Sequence, residues 1–385
     1  MSGRGDSSRA CAVCLRRSWL IARLAGAIEL AWAARRPLPS VLALGDAELI
    51  AALGGERRDR LTDEWSRFDA AAARRRCSDR AVTAICRCDE RYPAPLRELP
   101  DAPAVLHVLG DPERFVTLVE RDCVAIVGAR RGTPYGLEQA RGLGRALAAA
   151  GVTVVSGMAL GVDSAAHVGA LDGGGTTLAV LAGGVERPYP SSKRQLHARI
   201  AAAGAVVSEL PPGTAVRRWT FPARNRIIAA LGRLTVVVEA GERSGSLITA
   251  ALSLDLGRDV AAMPGLVTSP ASAGTHALIV DGARLVRGAH DVLELLYGAA
   301  AGEEGTAAEG GRPERQGEGA SAEAGAERLP ADLTLLLERV GGGCDTVAAL
   351  TADGTAVDGV LAGLAQLELR GLVRRAEGGR YVCRA

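Results

Sequence analysis

The stretch VAIVGARRGTPYGLEQARGLGRAL, residues 124–147, passes from a short apolar run through a glycine- and arginine-rich turn into a helical pattern. Five later apolar runs break in a similar way at one end, and most are separated by stretches long enough for a helix. These runs are VTVVSG (152–157), TLAVLAGG (177–184), AVVSE (205–209), LTVVVEA (234–240) and DVAAMPG (259–265). Alternating strands and helices predict a doubly wound, mostly parallel sheet that is covered on both faces. The ligand of such a sheet lies beyond the carboxyl ends of the strands, where these polar turns are placed.

Composition excludes several classes of protein. The chain has 385 residues, a net charge of +2 and a single lysine, Lys193. It therefore has no overall basic character, and any site for a polyanion must be a local patch. No run of about 18 apolar residues occurs, so no membrane span is expected. The first residues contain no apolar signal-peptide segment before their arginines, so we expect a cytoplasmic protein.

Eight cysteines raise the question of a metal site. Cys11 and Cys14 form a CxxC pair, whereas Cys77, Cys86 and Cys88 lie together later in the chain. A structural zinc site takes four ligands in closed tetrahedral spacing, and the CRC around residue 87 matches a second CxxC poorly. We therefore expect reduced thiols with no metal and no cofactor, and keep zinc as the alternative. Disulfides are not expected in a cytosolic protein.

Composition and periodicity divide the chain into four segments. Residues 1–90 are predicted to form a helical domain of helix-hairpin-helix or SAM-like type, with a purely structural helical domain as the alternative. Residues 91–297 are predicted to form a Rossmann-like α/β core, which a proline-rich connector enters. Residues 298–329 are rich in Gly, Ala and Glu without apolar periodicity, which predicts a flexible linker. Residues 330–385 carry three helical patterns and two short strands, which together are typical of a winged-helix domain.

The turn after the first apolar run has the chemistry of an anion site. Gly128 permits a sharp turn, Thr133 can cap the next helix, and the N–H groups of a helix N-terminus bind phosphate. Arg130 and Arg131 lie in the same turn, where a guanidinium can bind phosphate through two hydrogen bonds. An ordinary strand–helix turn with incidental arginines is the alternative. The chain has neither GxGxxG at this turn nor GxxxxGK[ST] anywhere, which counts against dinucleotide-binding proteins and P-loop ATPases.

Two further strand ends carry polar residues. The second strand ends at Gly157, and Asp163 and His167 follow it four residues apart. Such a pair could serve acid–base chemistry, but no Ser or Cys nucleophile accompanies it, so we expect it to brace the start of a helix. After the fifth run, Ser244-Gly245-Ser246 opens a helix with another anion-binding geometry.

The segment RWTFPARNR combines aromatic and basic residues most densely. Phe221 offers a face on which a base can stack. The polar residues around it are Arg218, Arg224, Asn225 and Arg226. Aromatic and basic residues in one glycine-lined groove are typical of single-strand nucleic-acid binding. The alternative is an arginine-rich helix start that packs on its own sheet.

Taken together, these motifs resemble those of the DprA family, also called Smf, of DNA-processing proteins of natural transformation. The resemblance rests on a colinear series between about residues 91 and 290, namely VGARRGTPYG, SGMALGVDSAAH, GGVERPYP, FPARNRIIAALG, VVVEAGERSGSLITA and GTHALIVDGA. It implies a protein that is not an enzyme, binds single-stranded DNA, protects incoming strands and helps to load RecA recombinase. It also implies a homodimer.

The resemblance further implies roles for individual residues. Arg130 would hold phosphate, Phe221 would stack on or wedge near a base, and the residues around Gly245 would donate hydrogen bonds. The residues expected to contact DNA are Gly128, Arg130, Arg131, Gly157, Lys193, Arg218, Phe221, Arg224, Asn225, Arg226, Ser244, Gly245 and Ser246.

Two alternatives to a DNA-binding protein stay open. The sheet core also resembles that of nucleoside-monophosphate phosphoribohydrolases, which carry PGGxGTxxE, but the comparable loop here, GERSGSLITA, has no glutamate after the turn. A nucleotide-sensing module without catalysis is the other alternative. In the tail, the third helical pattern (residues 355–368) has no basic residue, which favours contact with protein, although Arg374, Arg375 and Arg380 leave contact with DNA open.

Overall fold

The structure is a computed structural model that describes two parts of the chain. The first part is residues 10–298. The second comprises residues 331–342, 344, 346–351, 360, 363–364, 366–368, 372–375 and 381–383. These belong to two units, Met1–Gly311 and Arg312–Ala385. The linker expected at 298–329 lies, after Gly298, outside the described residues.

The first unit alternates helices with the strands of one sheet. Its α-helices are α1 (Ala12–Arg23), α2 (Ala25–Ala33), α3 (Leu38–Ala43), α4 (Asp46–Leu53), α5 (Arg58–Ser66), α6 (Ala70–Ser78), α7 (Ala94–Arg97), α8 (Pro112–Glu120), α9 (Pro134–Ala149), α10 (Val162–Asp172), α11 (Arg194–Ala203), α12 (Thr220–Leu231), α13 (Gly245–Asp255), α14 (Ala273–Val280) and α15 (Ala289–Tyr297). Its strands are β1 (Val82–Cys86), β2 (Val105–Gly110), β3 (Cys123–Val127), β4 (Thr153–Ser156), β5 (Thr177–Val180), β6 (Ala205–Ser208), β7 (Leu234–Val237), β8 (Asp259–Ala262) and β9 (Arg284–Leu285). Across the described residues, we find no helix with the length and apolar character that a membrane crossing needs.

The nine strands form one sheet in the order β1-β2-β6-β5-β4-β3-β7-β8-β9. Every neighbouring pair from β6 to β9 is parallel, and the six apolar runs of the sequence correspond to β3 to β8, so the predicted sheet is confirmed. Strands β1 and β2 add an antiparallel edge. From β3 the chain proceeds outward to β6 and then returns to the other side of β3 as β7. This change of direction creates a topological switch point between β3 and β7.

Strand β3 shows why the apolar runs are nearly continuous. Val124 and Ile126 belong to the apolar cluster that α9 and α10 cover. Ala125 and Val127 face the opposite side, where they share a cluster with Ile227 of α12. Alternate residues of the strand are therefore buried on both faces, and each large apolar side chain contributes about 1.5–3 kcal/mol on full burial.

The N-terminal helices pack on the sheet unit and do not form a unit of their own. Trp219, just before α12, is fully buried in one cluster with Leu24 and Ile28 of the N-terminal helices. The predicted boundary at residue 90 is wrong, because Val82–Cys86 is a sheet strand. All five residues of this strand are buried, and so short a buried run cannot be distinguished from a helix by periodicity. The helix-hairpin-helix or SAM-like type of these helices stays a prediction.

The second unit has helices at Ala331–Gly341 and Val347–Leu350 and two short strands. The strands, Val373–Arg375 and Tyr381–Cys383, pair antiparallel where the hairpin is predicted. Arg380 and much of the third predicted helix lie outside the described residues. The winged-helix domain at 330–385 and the nature of its partner therefore stay predictions.

Candidate nucleic-acid interface

A cleft of about 810 Å³ opens at the carboxyl edge of the sheet, beside the switch point between β3 and β7. Its walls come from the turns that follow β3, β4 and β7 and from the first turns of α12 and α13. A smaller cavity of about 110 Å³ shares Arg130, Tyr189, Phe221 and Arg224 with it. This is the position in which an open α/β sheet binds its ligand.

The turn after β3 is fixed by Glu239, which follows β7. The buried Glu239 carboxylate accepts hydrogen bonds from the Thr133 backbone N–H at 2.8 Å and from the Thr133 hydroxyl at 2.6 Å. At Gly128 a Cβ would lie 2.9 Å from the Glu239 carbonyl oxygen, so a side chain does not fit there. The turn thereby presents the exposed side chains of Arg130 and Arg131 to the cleft.

Two aromatic side chains stand together in the wall of the cleft. Phe221 lies half-buried in the first turn of α12, and the Tyr189 ring is centred 5.5 Å from the Phe221 ring. The guanidinium carbon of Arg130 lies 4.8 Å from the Phe221 centroid, within the range of a cation–π interaction. Tyr189 is 50% exposed, so part of its ring is open to a ligand. Sequence reasoning missed a role for Tyr189, whose one signal was the motif GGVERPYP.

Arg224 lines the cleft, but its guanidinium is engaged with the sheet. Its Nη1 donates to the carbonyl oxygens of Gly157 and Val180, the latter at 2.8 Å, and its Nη2 lies 3.8 Å from Asp163 Oδ2. A Cβ at Gly157 would lie 1.8 Å from Arg224 Nη1, so a side chain at this position would displace the guanidinium from its contacts. Burial raises the pKa of Asp163, and the positive charge of Arg224 counteracts that rise. Arg224 and Gly157 therefore build the floor of the site.

Arg226 is not among the described residues that line the cleft, so the expectation that it completes the basic groove is wrong. Its Nη2 donates to Glu209 Oε2 at 2.6 Å, and its Nε forms an ion pair with Asp101 Oδ2 at 2.9 Å. Arg226 and Asp101 are buried, and the Glu209 side chain is 11% exposed. Residues two apart on an α-helix point about 200° away from each other, so Arg224 and Arg226 face different surroundings.

The start of α13 forms a further wall of the cleft. The Ser244 hydroxyl caps this helix by accepting from the Ser246 backbone N–H at 3.4 Å, and the two hydroxyls lie 2.7 Å apart. Asn225 Nδ2 donates to the Gly245 carbonyl at 3.5 Å, which joins α12 to α13. The structure thus brings Ser244, Gly245, Ser246 and Asn225 to the cleft, and their contact with DNA stays a prediction. The partial positive charge of a helix N-terminus adds to the attraction for anions.

Two other expectations differ from the structure. Lys193 lies in a short 3-10 helix and is not among the described residues that line the cleft or the smaller cavity. Asp163 and His167 do not pair with each other. Asp163 accepts from the Ala159 backbone N–H at 3.3 Å, and His167 Nδ1 lies 2.7 Å from Thr177 Oγ1. Burial lowers the pKa of His167 to about 3, so this histidine is neutral. Each residue therefore fixes α10 to a different neighbour.

The cleft is electropositive. Arg130, Arg131 and Arg218 are exposed in it, and none of the three forms an ion pair within the described part of the chain. Among the described lining residues Asp163 is the one carboxylate, and it is buried beside Arg224. Guanidinium groups bind phosphates, and exposed aromatic faces stack on bases. The arrangement therefore suits a polyanion that also carries flat apolar surfaces.

Away from the cleft, the structure brings four cysteines together. The Sγ atoms of Cys11, Cys14, Cys86 and Cys88 lie within 4.8 Å of one another. The CRC spacing therefore differs from CxxC but still brings both of its thiols next to Cys11 and Cys14. Cys86 ends β1, and the turn that follows the strand carries Cys88. Cys77 is buried and is not part of this cluster.

The chain is similar to proteins of known family. The family model of DNA recombination-mediator protein A matches residues 83–297, which is more than half of the chain. A relative from Mycobacterium tuberculosis that carries the name DprA is 49% identical over 205 residues, which cover 53% of this chain and 52% of that protein. The chain therefore matches about half the length of this relative.

Two solved structures are similar to this fold. The X-ray structure of DNA processing protein A from Streptococcus pneumoniae matches with a TM-score of 0.59 and 33% identity, over 73% of this chain and 95% of that chain. DNA processing protein A from Helicobacter pylori matches with a TM-score of 0.50 and 29% identity, over 56% of this chain and 95% of that chain. The structure of the latter is described as giving insight into its single-stranded DNA binding mode.

Proposed function

This chain belongs to the family of DNA recombination-mediator protein A, and on that premise we propose that its cleft binds single-stranded DNA and delivers it to recombination. The observation that carries this proposal is the group of three exposed arginines around the Phe221–Tyr189 pair. The similarity to the H. pylori protein, whose structure concerns single-stranded DNA binding, supports the same ligand.

The contacts divide between the backbone and the bases of the strand. Arg130, Arg131 and Arg218 bind phosphates, because their guanidinium groups are exposed and have no carboxylate partner among the described residues. Phe221 and Tyr189 offer ring faces on which unpaired bases stack. These contacts read no base edge, so binding is expected to be largely independent of sequence.

Preference for a single strand follows from the aromatic pair. In a duplex each base is already stacked between its neighbours, and a ring in the wall of a cleft cannot reach its face. A single strand can turn its bases outward onto Phe221 or Tyr189 while its phosphates follow the arginines. Duplex DNA retains only the phosphate contacts, so we expect weaker binding of the duplex at equal salt.

The first experiment is fluorescence anisotropy with a labelled single strand and its duplex at two salt concentrations. Wild type is compared with Arg130→Ala and with the control Arg145→Ala, which removes an exposed arginine of α9 that does not line the cleft. We expect salt-sensitive preference for the single strand, weakened in Arg130→Ala and retained in Arg145→Ala. Equal loss in both variants would show only a general charge effect, and absence of binding to either DNA would refute the proposal.

Three further parts of this proposal concern location and partners. The protein acts in the cytoplasm, helps a RecA-type recombinase to assemble on the bound strand, and works as a homodimer. Exposed apolar residues support self-association, since Leu266, Val267 and Val280 are 75%, 89% and 85% exposed. Light scattering of wild type and Val280→Asp tests the dimer. Recombinase assembly on strands coated with a single-strand-binding protein tests the partner.

A non-enzymatic role is also part of the proposal. Glycosidic hydrolysis of a nucleotide needs a carboxylate next to the substrate. In the cleft the one carboxylate among the described lining residues is Asp163, and Arg224 lies 3.8 Å from it below the surface. Incubation of the protein with nucleoside monophosphates should release no free base. Release that is lost in Asp163→Asn would instead support the hydrolase alternative.

A further inference from the structure

We propose that Cys11, Cys14, Cys86 and Cys88 bind one zinc ion that fastens the start of α1 to the end of β1. The four thiols come from two places far apart in the sequence, and their Sγ atoms all lie within 4.8 Å of one another. This cluster is separate from the cleft, since none of the four cysteines is among the described residues that line it.

The distances fit a tetrahedral thiolate site. Zinc–sulfur bonds of about 2.3 Å in a tetrahedron place neighbouring sulfur atoms about 3.8 Å apart. The Sγ atoms of Cys14 and Cys88 lie 3.8 Å apart. A disulfide brings its sulfur atoms to about 2.05 Å, so this separation is not that of a bonded pair. A cluster of several irons spreads its thiolates over different metal atoms, whereas these four sulfur atoms all lie within 4.8 Å of one another.

The backbone around the thiols is arranged as in a metal site. Cys11 is the N-cap of α1, and its Sγ accepts from the Cys14 backbone N–H at 3.4 Å. The Cys86 Sγ accepts from the Cys11 backbone N–H at 3.5 Å. Backbone N–H groups that donate to metal-bound sulfur orient the ligands and offset their negative charge. The partial positive charge of the α1 N-terminus acts in the same direction.

Each half of the site follows from its secondary structure. The CxxC half lies across the first turn of α1, where residues three apart share a face. In the CxC half, Cys86 ends β1 and Cys88 lies in the turn that follows, which the Asp89 backbone N–H closes by donating to the Cys86 carbonyl at 2.8 Å. Cys14 and Cys86 are buried, Cys11 is half-buried and Cys88 is exposed, so an ion can enter from the solvent side. Four thiolates in a closed tetrahedron are typical of structural rather than catalytic zinc.

The structural consequence concerns the N-terminal helices. Cys11 and Cys86 are 75 residues apart in the sequence, and the helices α1 to α6 lie between them. One ion would close this segment at both ends and hold it against the edge strand of the sheet. Cys14 and Cys86 also belong to one apolar cluster with Cys77 and Val82, so the site extends an existing contact.

The test starts from the full chain purified under reducing conditions. We expect about one zinc ion per chain by mass spectrometry of metals, and the four thiols of the cluster, including the exposed Cys88, should resist alkylation until a chelator is added. The metal-free protein should take up about one equivalent of cobalt with the absorption of tetrahedral thiolate coordination.

Variants locate the site. Cys88→Ser and Cys14→Ser should each lose the zinc, whereas the control Cys344→Ser, outside the cluster, should keep it. Cys88→His should retain zinc, because three thiolates and one imidazole are also a structural zinc set. If Cys14→Ser does not fold, the exposed Cys88 still tests the site without disturbing the core.

Four outcomes would overturn the proposal. They are absence of zinc from wild type grown with zinc, alkylation of all four thiols at the rate of Cys344, two disulfides by intact mass, and iron in place of zinc. Hydrogen exchange supplies a readout that does not depend on DNA. Chelation should speed exchange in α1 and β1 and leave α13 unchanged, and equal exchange in both regions would contradict the fastening role.

Discussion

Arg218 and Arg226 lie eight residues apart, and the structure gives them opposite roles. We predict that Arg226→Ala destabilises the fold and leaves the DNA affinity of the folded protein unchanged. Arg226 lies 2.9 Å from Asp101 and 2.6 Å from Glu209; Arg226 and Asp101 are buried, and the Glu209 side chain is 11% exposed. Removal of one partner from a buried ion pair leaves an uncompensated buried charge and costs about 3–5 kcal/mol. For a unit of this size, that corresponds to a drop in Tm of roughly 6–20 °C.

Arg218→Ala is the matched control with the reverse outcome. Arg218 is exposed at the cleft and has no ion-pair partner among the described residues, so its loss should leave Tm nearly unchanged. Binding of a single strand should weaken by about tenfold, and the slope of log K against log salt should fall by about 0.7 if Arg218 holds one phosphate.

The pH dependence of the Arg226→Ala effect gives a second check. Burial raises the pKa of Glu209, and Arg226 counteracts the rise, so its removal should raise that pKa further. A carboxyl whose pKa is higher in the folded than in the unfolded state stabilises the fold at low pH and loses this effect as pH rises through the folded pKa. The destabilisation should therefore be larger at pH 8 than at pH 5. The free energy of unfolding is measured by urea unfolding at pH 5 and pH 8. DNA affinity is measured by anisotropy at a temperature at which the variant is folded. An Arg226→Ala protein with wild-type stability and weakened DNA binding would refute this assignment.

Three other variants test the cleft and its support. Phe221→Ala should weaken single-strand binding by about 1–3 kcal/mol in anisotropy if one base stacks on the ring, and unchanged affinity would leave Phe221 a packing residue. Gly157→Ala should displace the Arg224 guanidinium, since the new Cβ would lie 1.8 Å from Nη1; urea unfolding should show a loss of about 1–3 kcal/mol from unpaired buried groups, and wild-type stability would contradict the need for glycine. The low pKa of His167 means that the unfolded chain binds more protons between about pH 3 and 6.5, so stability falls as pH drops through that window. His167→Asn keeps a donor towards Thr177, and it should reduce the slope of the free energy of unfolding against pH in this window by about 1.4 kcal/mol per pH unit. The same slope in variant and wild type would show that His167 is charged in the folded protein.

The strands that the sequence predicts correctly are those buried on both faces. Strand β3 alternates between two apolar clusters, so its run VAIV contains no polar residue and cannot be mistaken for a surface element. Strands β1 and β2 were harder to predict, because β1 directly follows the N-terminal helices and β2 follows a proline-rich connector. Their place at the antiparallel edge depends on a pairing with β6 that is distant in sequence.

Several of the predicted site residues that line the cleft lie in turns at strand ends. Parallel strands have their carboxyl ends at one edge of the sheet, and this rule alone predicts that Arg130 and Ser244 lie near each other although they follow different strands. Arg226 was placed wrongly, because the side of α12 on which it lies is fixed by the carboxylates of Asp101 and Glu209. Those partners come from other elements of the chain, and no local pattern reveals them.

The N-terminal helices belong to the candidate DNA-binding surface as structural supports. Trp219 Nε1 donates to the Ala25 carbonyl of α2 at 2.9 Å, and the Trp219 backbone N–H donates to Glu29 at 3.3 Å. Trp219 lies between Arg218 and the start of α12, so these bonds set the path by which Arg218 reaches the cleft. Trp32 of α2 itself lines the cleft. Because α2 follows α1 after a single residue, a metal ion that holds the start of α1 on the sheet would also constrain the helix on which the arginine-bearing segment rests.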